Sequence, residues 1–256
     1  MIQVIHVERD TVGIQQAVLG LFEEAFQRGA IDSTSLMADV ESRARALDDL
    51  EARKLSPGYY VRAQYLLGIM YSNGQGVMKD AAEAAKWVAK AAEGGDPAAQ
   101  TTIGVIYESG QGVVQNDAEA AKWYKKAIEN YRKAADAGDA SAATALGNMY
   151  ARGQGVTGDY SEAAAWWRKA ADTGYEGAQY NLGLAYMQGR GVPEDQVQAY
   201  LWLSLAAANR GEGQERRAKS RDALASKLTA DQLAEGKRLV TEWKPKAKTP
   251  PTAEVK

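Results

Sequence analysis

Apolar positions along the middle of the chain fall into short helical faces that come back four times. Ala63, Leu67 and Tyr71 stand at i, i+4 and i+8, one side of an α-helix. The trio returns as Ala99/Ile103/Tyr107, Ala142/Leu146/Tyr150 and Ala178/Leu182/Tyr186. Each trio is followed by Gly-x-Gly-Val, as in Gly74 to Val77, and each such valine is followed ten positions later by tryptophan: Trp87, Trp123, Trp166 and Trp202. Every unit therefore reads as a helix A, a glycine turn and a helix B, and an internal period of this kind sets the whole architecture. The predicted fold is all-α, a solenoid of four helix-pair repeats over residues 57–211, divided at about 57–96, 97–139, 140–175 and 176–211.

Residues inside the units support that division. Gly68, Gly104, Gly147 and Gly183 sit mid-helix, where glycine costs about 1 kcal/mol against alanine, so their recurrence predicts close approach by a neighbouring helix. Turn glycines such as Gly74 and Gly76 are expected to supply left-handed backbone that ends helix A. Helix B opens each time on a capping-box spacing: Asp80/Glu83, Asn116/Glu119, Asp159/Glu162 and Asp195/Gln198. Its tryptophan and its alanines are expected to pack against helix A. Asp96-Pro97 reads as the start of the second helix A.

From mid-helix glycine to mid-helix glycine the spacings are 36, 43 and 36. The extra seven residues are visible as Tyr124-Lys125-Lys126-Ala127 echoed by Tyr131-Arg132-Lys133-Ala134. Seven residues turn a helix through almost two turns, about 700°, so helix B is expected to lengthen in place by roughly 10 Å, keep its apolar face and protrude at its end.

A stack of such units needs covers. Ile14, Val18, Leu21, Phe22, Ala25 and Phe26, and then Met37, Val40, Ala44, Leu47 and Leu50, keep helical spacing, which predicts N-terminal capping helices within 1–56. Around Trp202 the fourth helix B is apolar on every side, so residues 212–243 are expected to cover it with one helix near Glu215 to Lys227 and another from the Thr229/Gln232 box toward Trp243. Residues 244–256, with Pro245, Pro250 and Pro251, read as a flexible, solvated tail.

Composition narrows the function classes. With 31 Lys and Arg against 33 Asp and Glu the net charge is −2, which does not suit a phosphate-tracking surface, so no nucleic-acid partner is expected. There is no cysteine, hence no disulfide, thiolate metal site or cysteine nucleophile. His6 is the single histidine and makes neither a metal cluster nor a triad. No window resembles a membrane span, and Met1 to Asp10 does not resemble a secretory signal peptide. The expected compartment is the cytoplasm, or the periplasm or exterior if a leader has been removed.

The recurring Ala-x-x-x-Leu-Gly-x-x-Tyr-x-x-Gly-x-Gly-Val, followed by Asp, Ala-Ala, Trp and Lys-Ala-Ala, resembles the Sel-one-like repeat, a relative of the tetratricopeptide repeat. The resemblance covers Val61 to about Gly211, and Arg221 to Trp243 is similar to the closing segment of many bacterial members. It implies a right-handed αα superhelix with helical caps, and binding of a protein or peptide partner as a scaffold or adaptor rather than catalysis, with no cofactor and no metal. One branch of that family is linked to penicillin binding or β-lactam hydrolysis. This chain departs from that branch, having no cysteine and no Ser-x-x-Lys spacing to activate a serine. A hydrolase of β-lactams or peptidoglycan, and a self-associating structural protein, are the alternative functions.

In helical solenoids the A helices commonly line one extended surface. Residues at −3, +1 and +5 from the mid-helix glycine lie away from the buried stripe and vary between units: Tyr65, Ile69 and Asn73; Thr101, Val105 and Ser109; Thr144, Asn148 and Arg152; Tyr180, Leu184 and Gln188. This mixture of aromatic, aliphatic and amide groups is the predicted partner-binding set. Burial between neighbouring A helices is the alternative for any one of them. The repeated tyrosines and tryptophans are read as core, and lysines such as Lys86, Lys90, Lys122, Lys126 and Lys169 as a solvated face.

Overall fold

Residues 57–75, 77–211 and 213–246 are described by the structure, a computed structural model, with side chains from Val61 onward. The capping helices expected within 1–56, the turn residue Gly76 and the tail from 247 lie outside the described residues. Among the described residues there are ten helices and no strand. They are α1 (Pro57–Asn73), α2 (Ala81–Glu93), α3 (Pro97–Ser109), α4 (Asp117–Asp136), α5 (Ala140–Arg152), α6 (Tyr160–Ala171), α7 (Glu176–Gln188), α8 (Gln196–Ala208), α9 (Gln214–Ala225) and α10 (Ala230–Glu242). The four A/B pairs are thus α1/α2, α3/α4, α5/α6 and α7/α8. No described helix is long and apolar enough to cross a membrane.

The chain divides into two compact units, with the division between Ala127 and Ile128 inside α4. In the first unit α2 packs against α1 and α3 around Val61, Val88, Ala91, Ala99 and Ile103. In the second, α5 packs on α6, α6 on α7 and α7 on α8, and α8 also meets α9 and α10. Leu67, Ile103, Leu146 and Leu182, the middle residues of the four trios, are at most 1% exposed, and each such burial stabilises by about 1.5 to 3 kcal/mol. Their tyrosines sit nearer the edge: Tyr71 is buried, whereas Tyr107, Tyr150 and Tyr186 are half-buried.

Each mid-helix glycine is a notch, and the residue after the repeated tryptophan fills it. A Cβ added to Gly104 would lie 2.6 Å from the Tyr124 ring, and one added to Gly147 would lie 2.7 Å from the Trp167 ring. Val88 occupies the same place opposite Gly68, as Leu203 does opposite Gly183. This corrects the expectation that the repeated tryptophan itself is the knob against helix A. Trp87 and Trp202 are buried, but Trp123 and Trp166 are only half-buried and carry the ammonium groups of Lys126 and Lys169 at 4.1 and 4.9 Å over their rings. Those lysines are exposed yet positioned by an aromatic face.

At the start of helix B only half of the capping box forms. Asp80 accepts from the amides of Ala82 and Glu83, and Asp159 from those of Ser161 and Glu162. The reciprocal bond is missing because the cap's own N–H is already donated to the carbonyl of the trio tyrosine: Asp80 to Tyr71 at 3.0 Å, Asn116 to Tyr107 at 2.8 Å, Asp159 to Tyr150 at 2.9 Å and Asp195 to Tyr186 at 3.0 Å. Glu83 and Glu119 turn instead to Lys86 and Lys122. Asp159→Ala is expected to cost about 1 kcal/mol, with Asp159→Asn close to wild type, read as the shift in the chemical-denaturation midpoint.

Three further helix ends are closed by buried polar side chains with no local sequence mark. Buried Gln100 donates to the carbonyl of Ala92, and buried Gln179 to that of Ala171, each satisfying the end of the preceding helix B. Arg217 on α9 is buried and donates to the carbonyls of Ala206 and Asn209 at the end of α8, where a cation also complements the helix dipole.

Helix α4 has 20 residues where α2 and α8 have 13, so the lengthening occurs inside the helix as expected. Its far end does not protrude. Ala135 is 1% exposed, and Tyr131 and Ala134 pack with it in the core of the second unit. The duplicated Tyr-x-x-Ala thus gives one aromatic to each unit, Tyr124 to the Gly104 notch and Tyr131 to the second core.

α9 and α10 both pack on α8. Gly236 of α10 lets Tyr200 approach to within 2.6 Å of where a Cβ would be, and Trp243 meets Trp202 edge-on at 6.4 Å and 77°. Lys246, within the stretch read as a solvated tail, donates its backbone N–H to the Asp172 carbonyl and its ammonium to the Asp172 carboxylate, at 2.7 Å each. On the outer side of α10, Arg238 forks Glu235 and Glu242, and this pairing holds the Glu235 carboxyl below the usual carboxylate range.

Candidate binding cleft

The twelve residues predicted to face a partner separate into three groups. In the first unit Tyr65 is half-buried against the core, and its hydroxyl lies 3.1 Å from Thr102 Oγ1 on α3. Ile69 and Thr101 are half-buried, while Asn73, Val105 and Ser109 are exposed. Ser109 and Thr101 donate their hydroxyls to carbonyls of their own helix, those of Val105 and Pro97.

In the second unit two of the assignments do not hold. Thr144 is 7% exposed and donates to the carbonyl of Ala140, because α7 lies beside α5 along this side. Tyr180 is covered by α9: its hydroxyl is 3.1 Å from Ser220 Oγ, and the Arg216 guanidinium lies 5.2 Å over its ring. Both are packing residues rather than open wall.

The remaining four, Asn148, Arg152, Leu184 and Gln188, converge. With Ala151, Tyr160, Trp167, Asn181, Ala185 and Arg190 they line a cleft of about 220 Å³ between α5 and α7. Leu184, Ala151 and Ala185 give it an apolar floor. The fold positions these groups simply: Asn148 follows Gly147, whose notch admits Trp167, so the indole arrives directly beneath the Asn148 amide.

The polar part of the floor is oriented without ambiguity. Trp167 Nε1 can only donate, and it donates to Asn148 Oδ1 at 3.0 Å. Asn181 Nδ2 donates to the same oxygen at 2.9 Å. The Asn148 carbonyl is therefore turned into the protein and its NH₂ away from Trp167, while Asn181 keeps its own oxygen as an acceptor. Two amides fixed in this way present a donor and an acceptor of the kind an extended main chain requires.

The rim is cationic. Arg152 ends α5 and is exposed. Arg190 follows α7 and lies 5.5 Å over the ring of Tyr160, which is 40% exposed. None of the ten lining residues is acidic. Among the described residues no group of three or more His, Cys, Asp or Glu is placed to hold a metal ion.

Tyr160, Trp167, Asn181 and Arg190 were not in the predicted set. Trp167 follows the repeated tryptophan and was hidden by it. Asn181, two residues before Gly183, is a polar residue between Tyr180 and Leu182 in a helix that packs on both sides. Thr102, two residues before Gly104, likewise reaches back to the preceding helix A, at Tyr65. Polarity at that position was the available signal.

The Sel1 repeat model matches residues 61–96, 97–130, 125–139, 140–175 and 177–210, more than half of the chain, with the two overlapping segments falling in the lengthened unit. A Sel1 repeat protein from Oxalobacter formigenes is similar over 81% of this chain and 83% of its own, at 30% identity and a TM-score of 0.50. A protective antigen present in uropathogenic Escherichia coli strains, displaying an SLR fold, is similar over 90% of this chain at 27% identity and a TM-score of 0.48; this chain spans about half, 53%, of that protein. A Sel1 repeat protein from Klebsiella pneumoniae subsp. pneumoniae is similar over 77% of this chain and 99% of its own, at 20% identity and a TM-score of 0.36. No curated protein sequence matches at a significant level.

Proposed function

Since this chain belongs to the Sel1 repeat family, whose members generally mediate contacts between proteins and are generally non-catalytic, we propose that it is a scaffold holding an extended segment of a partner protein in the cleft between α5 and α7. The observation that carries this reading is the Asn148 amide, locked by the donor-only indole of Trp167 and by Asn181 so that its NH₂ is available to a peptide carbonyl. Leu184 and the two alanines offer the partner an apolar contact, and Arg152 and Gln188 a polar rim. Relative to the sequence-based set, the binding surface is confined to the second unit.

A substitution that fills the cleft tests this directly. Ala151→Trp should abolish capture of the partner co-purified from the source cells while leaving far-ultraviolet circular dichroism unchanged. Capture equal to wild type with the cleft filled would overturn the placement. The hydrolase alternative requires turnover of a chromogenic β-lactam, and the scaffold reading expects none.

A further inference from the structure

We propose that the segment held in this cleft is acidic, with one or more Asp or Glu side chains received between Arg152 and Arg190; the inference rests on the scaffold reading above. Several cations elsewhere in the second unit are engaged. Arg238 holds Glu235 and Glu242, Arg221 holds Asp222, Lys169 holds Asp136, Lys246 holds Asp172, and Arg217 closes the end of α8. Arg152 and Arg190 form no ion pair with any described residue, and they are the two cations that line the cleft. A guanidinium offers a planar fork of donors matched to a carboxylate, and here two such forks flank a floor that offers no competing acid. Arg190 is also held over the Tyr160 ring, which limits the side-chain freedom lost on binding.

Charge complementarity selects among occupants. The chain as a whole is slightly acidic, at −2, so a cationic rim is a local feature and not a reflection of composition. Two arginines do not make the string of cations that a nucleic-acid backbone engages. The apolar floor beneath them suits an aliphatic side chain next to the acid, and a lone phosphate would leave that floor uncovered. An acidic, aliphatic peptide uses all three parts of the site: forks, amides and floor.

The test is selection from a phage-displayed library of random short peptides on the full chain and on the Arg152→Glu/Arg190→Glu variant, both substitutions being at exposed side chains. Wild type should enrich Asp and Glu beside Leu, Ile or Val, and the variant should lose that enrichment in favour of Lys and Arg. A synthetic copy of the leading peptide, followed by fluorescence anisotropy, should bind about tenfold more weakly when its acid is changed to the matching amide, and more weakly as salt is raised. Enrichment without acidic residues, or equal binding of acid and amide peptides, overturns this inference and leaves the scaffold reading standing. Failure to enrich any peptide overturns both. Displacement of the peptide by millimolar inorganic phosphate would assign the forks to a small anion. A mass that rises with concentration in wild type but not in the variant would assign the cleft to a second copy of the chain. Either result overturns the proposal.

Discussion

Gly191→Ala is expected to destabilise the second unit by about 2 to 5 kcal/mol. Gly191 has φ 72°, a left-handed backbone that costs a residue with a Cβ roughly 1 to 2 kcal/mol. Its α-carbon also rests on the first residue of α6: an added Cβ would lie 1.9 Å from the Tyr160 carbonyl oxygen, and backbone on both sides leaves no flexible group to yield. The loop must lift, at a further cost of about 1 to 3 kcal/mol. Because Arg190 adjoins it, lifting also takes the guanidinium off the Tyr160 ring. Gly112, at φ 76° with an added Cβ 2.1 Å from the Ala81 carbonyl oxygen, is the matching position in the first unit. Gly112→Ala should therefore cost a similar amount in denaturation while leaving peptide binding in the α5/α7 cleft intact. Loss of binding in both variants, or in neither, would contradict this account.

Trp167→Ala is expected to cost about 3 to 5 kcal/mol, measured by chemical denaturation followed by circular dichroism. The indole is 7% exposed, fills the Gly147 notch and packs with Ala163, Ala170 and Leu182 in the larger core. Trp167→Phe separates packing from polarity. A phenyl ring still occupies the notch, but the N–H to Asn148 is gone, so the stability loss should fall to about 1 to 2 kcal/mol. The Asn148 amide is then held by Asn181 alone, whose own amide can turn over with it, and affinity for an extended peptide should drop more than stability does. A Trp167→Phe protein that binds like wild type would show that the locked amide is not what the partner reads.

Much of this fold was legible in the sequence because it rests on period and small residues. Helix A stripes, turn glycines, the Asp80, Asp159 and Asp195 caps, the lengthened α4 and the two closing helices each leave a local mark. What was not legible depends on which neighbour a side chain meets. The knob opposite each glycine is Val88, Tyr124, Trp167 or Leu203, four residue types with no shared motif, and the tryptophan beside them drew attention away. Tyr180 and Leu184 both vary between units, yet Tyr180 lies under α9 whereas Leu184 lines the α5/α7 cleft. Variation between repeats thus marked two different things, a place for a partner and a place for the chain's own cap. Asn181 and Asn148, 33 residues apart, become a pair only through the packing of α7 beside α5.

The bond from each cap's N–H to the tyrosine carbonyl closes a ring of constant size, Tyr71 to Asp80, Tyr107 to Asn116, Tyr150 to Asp159 and Tyr186 to Asp195, although the residues enclosed differ. Connector length is therefore not a free variable in this protein. A residue inserted there breaks the closure, whereas a heptad inserted into a helix B returns the same face and breaks nothing. The single irregular unit obeys that rule: its surplus went into α4, and its turn kept the common count.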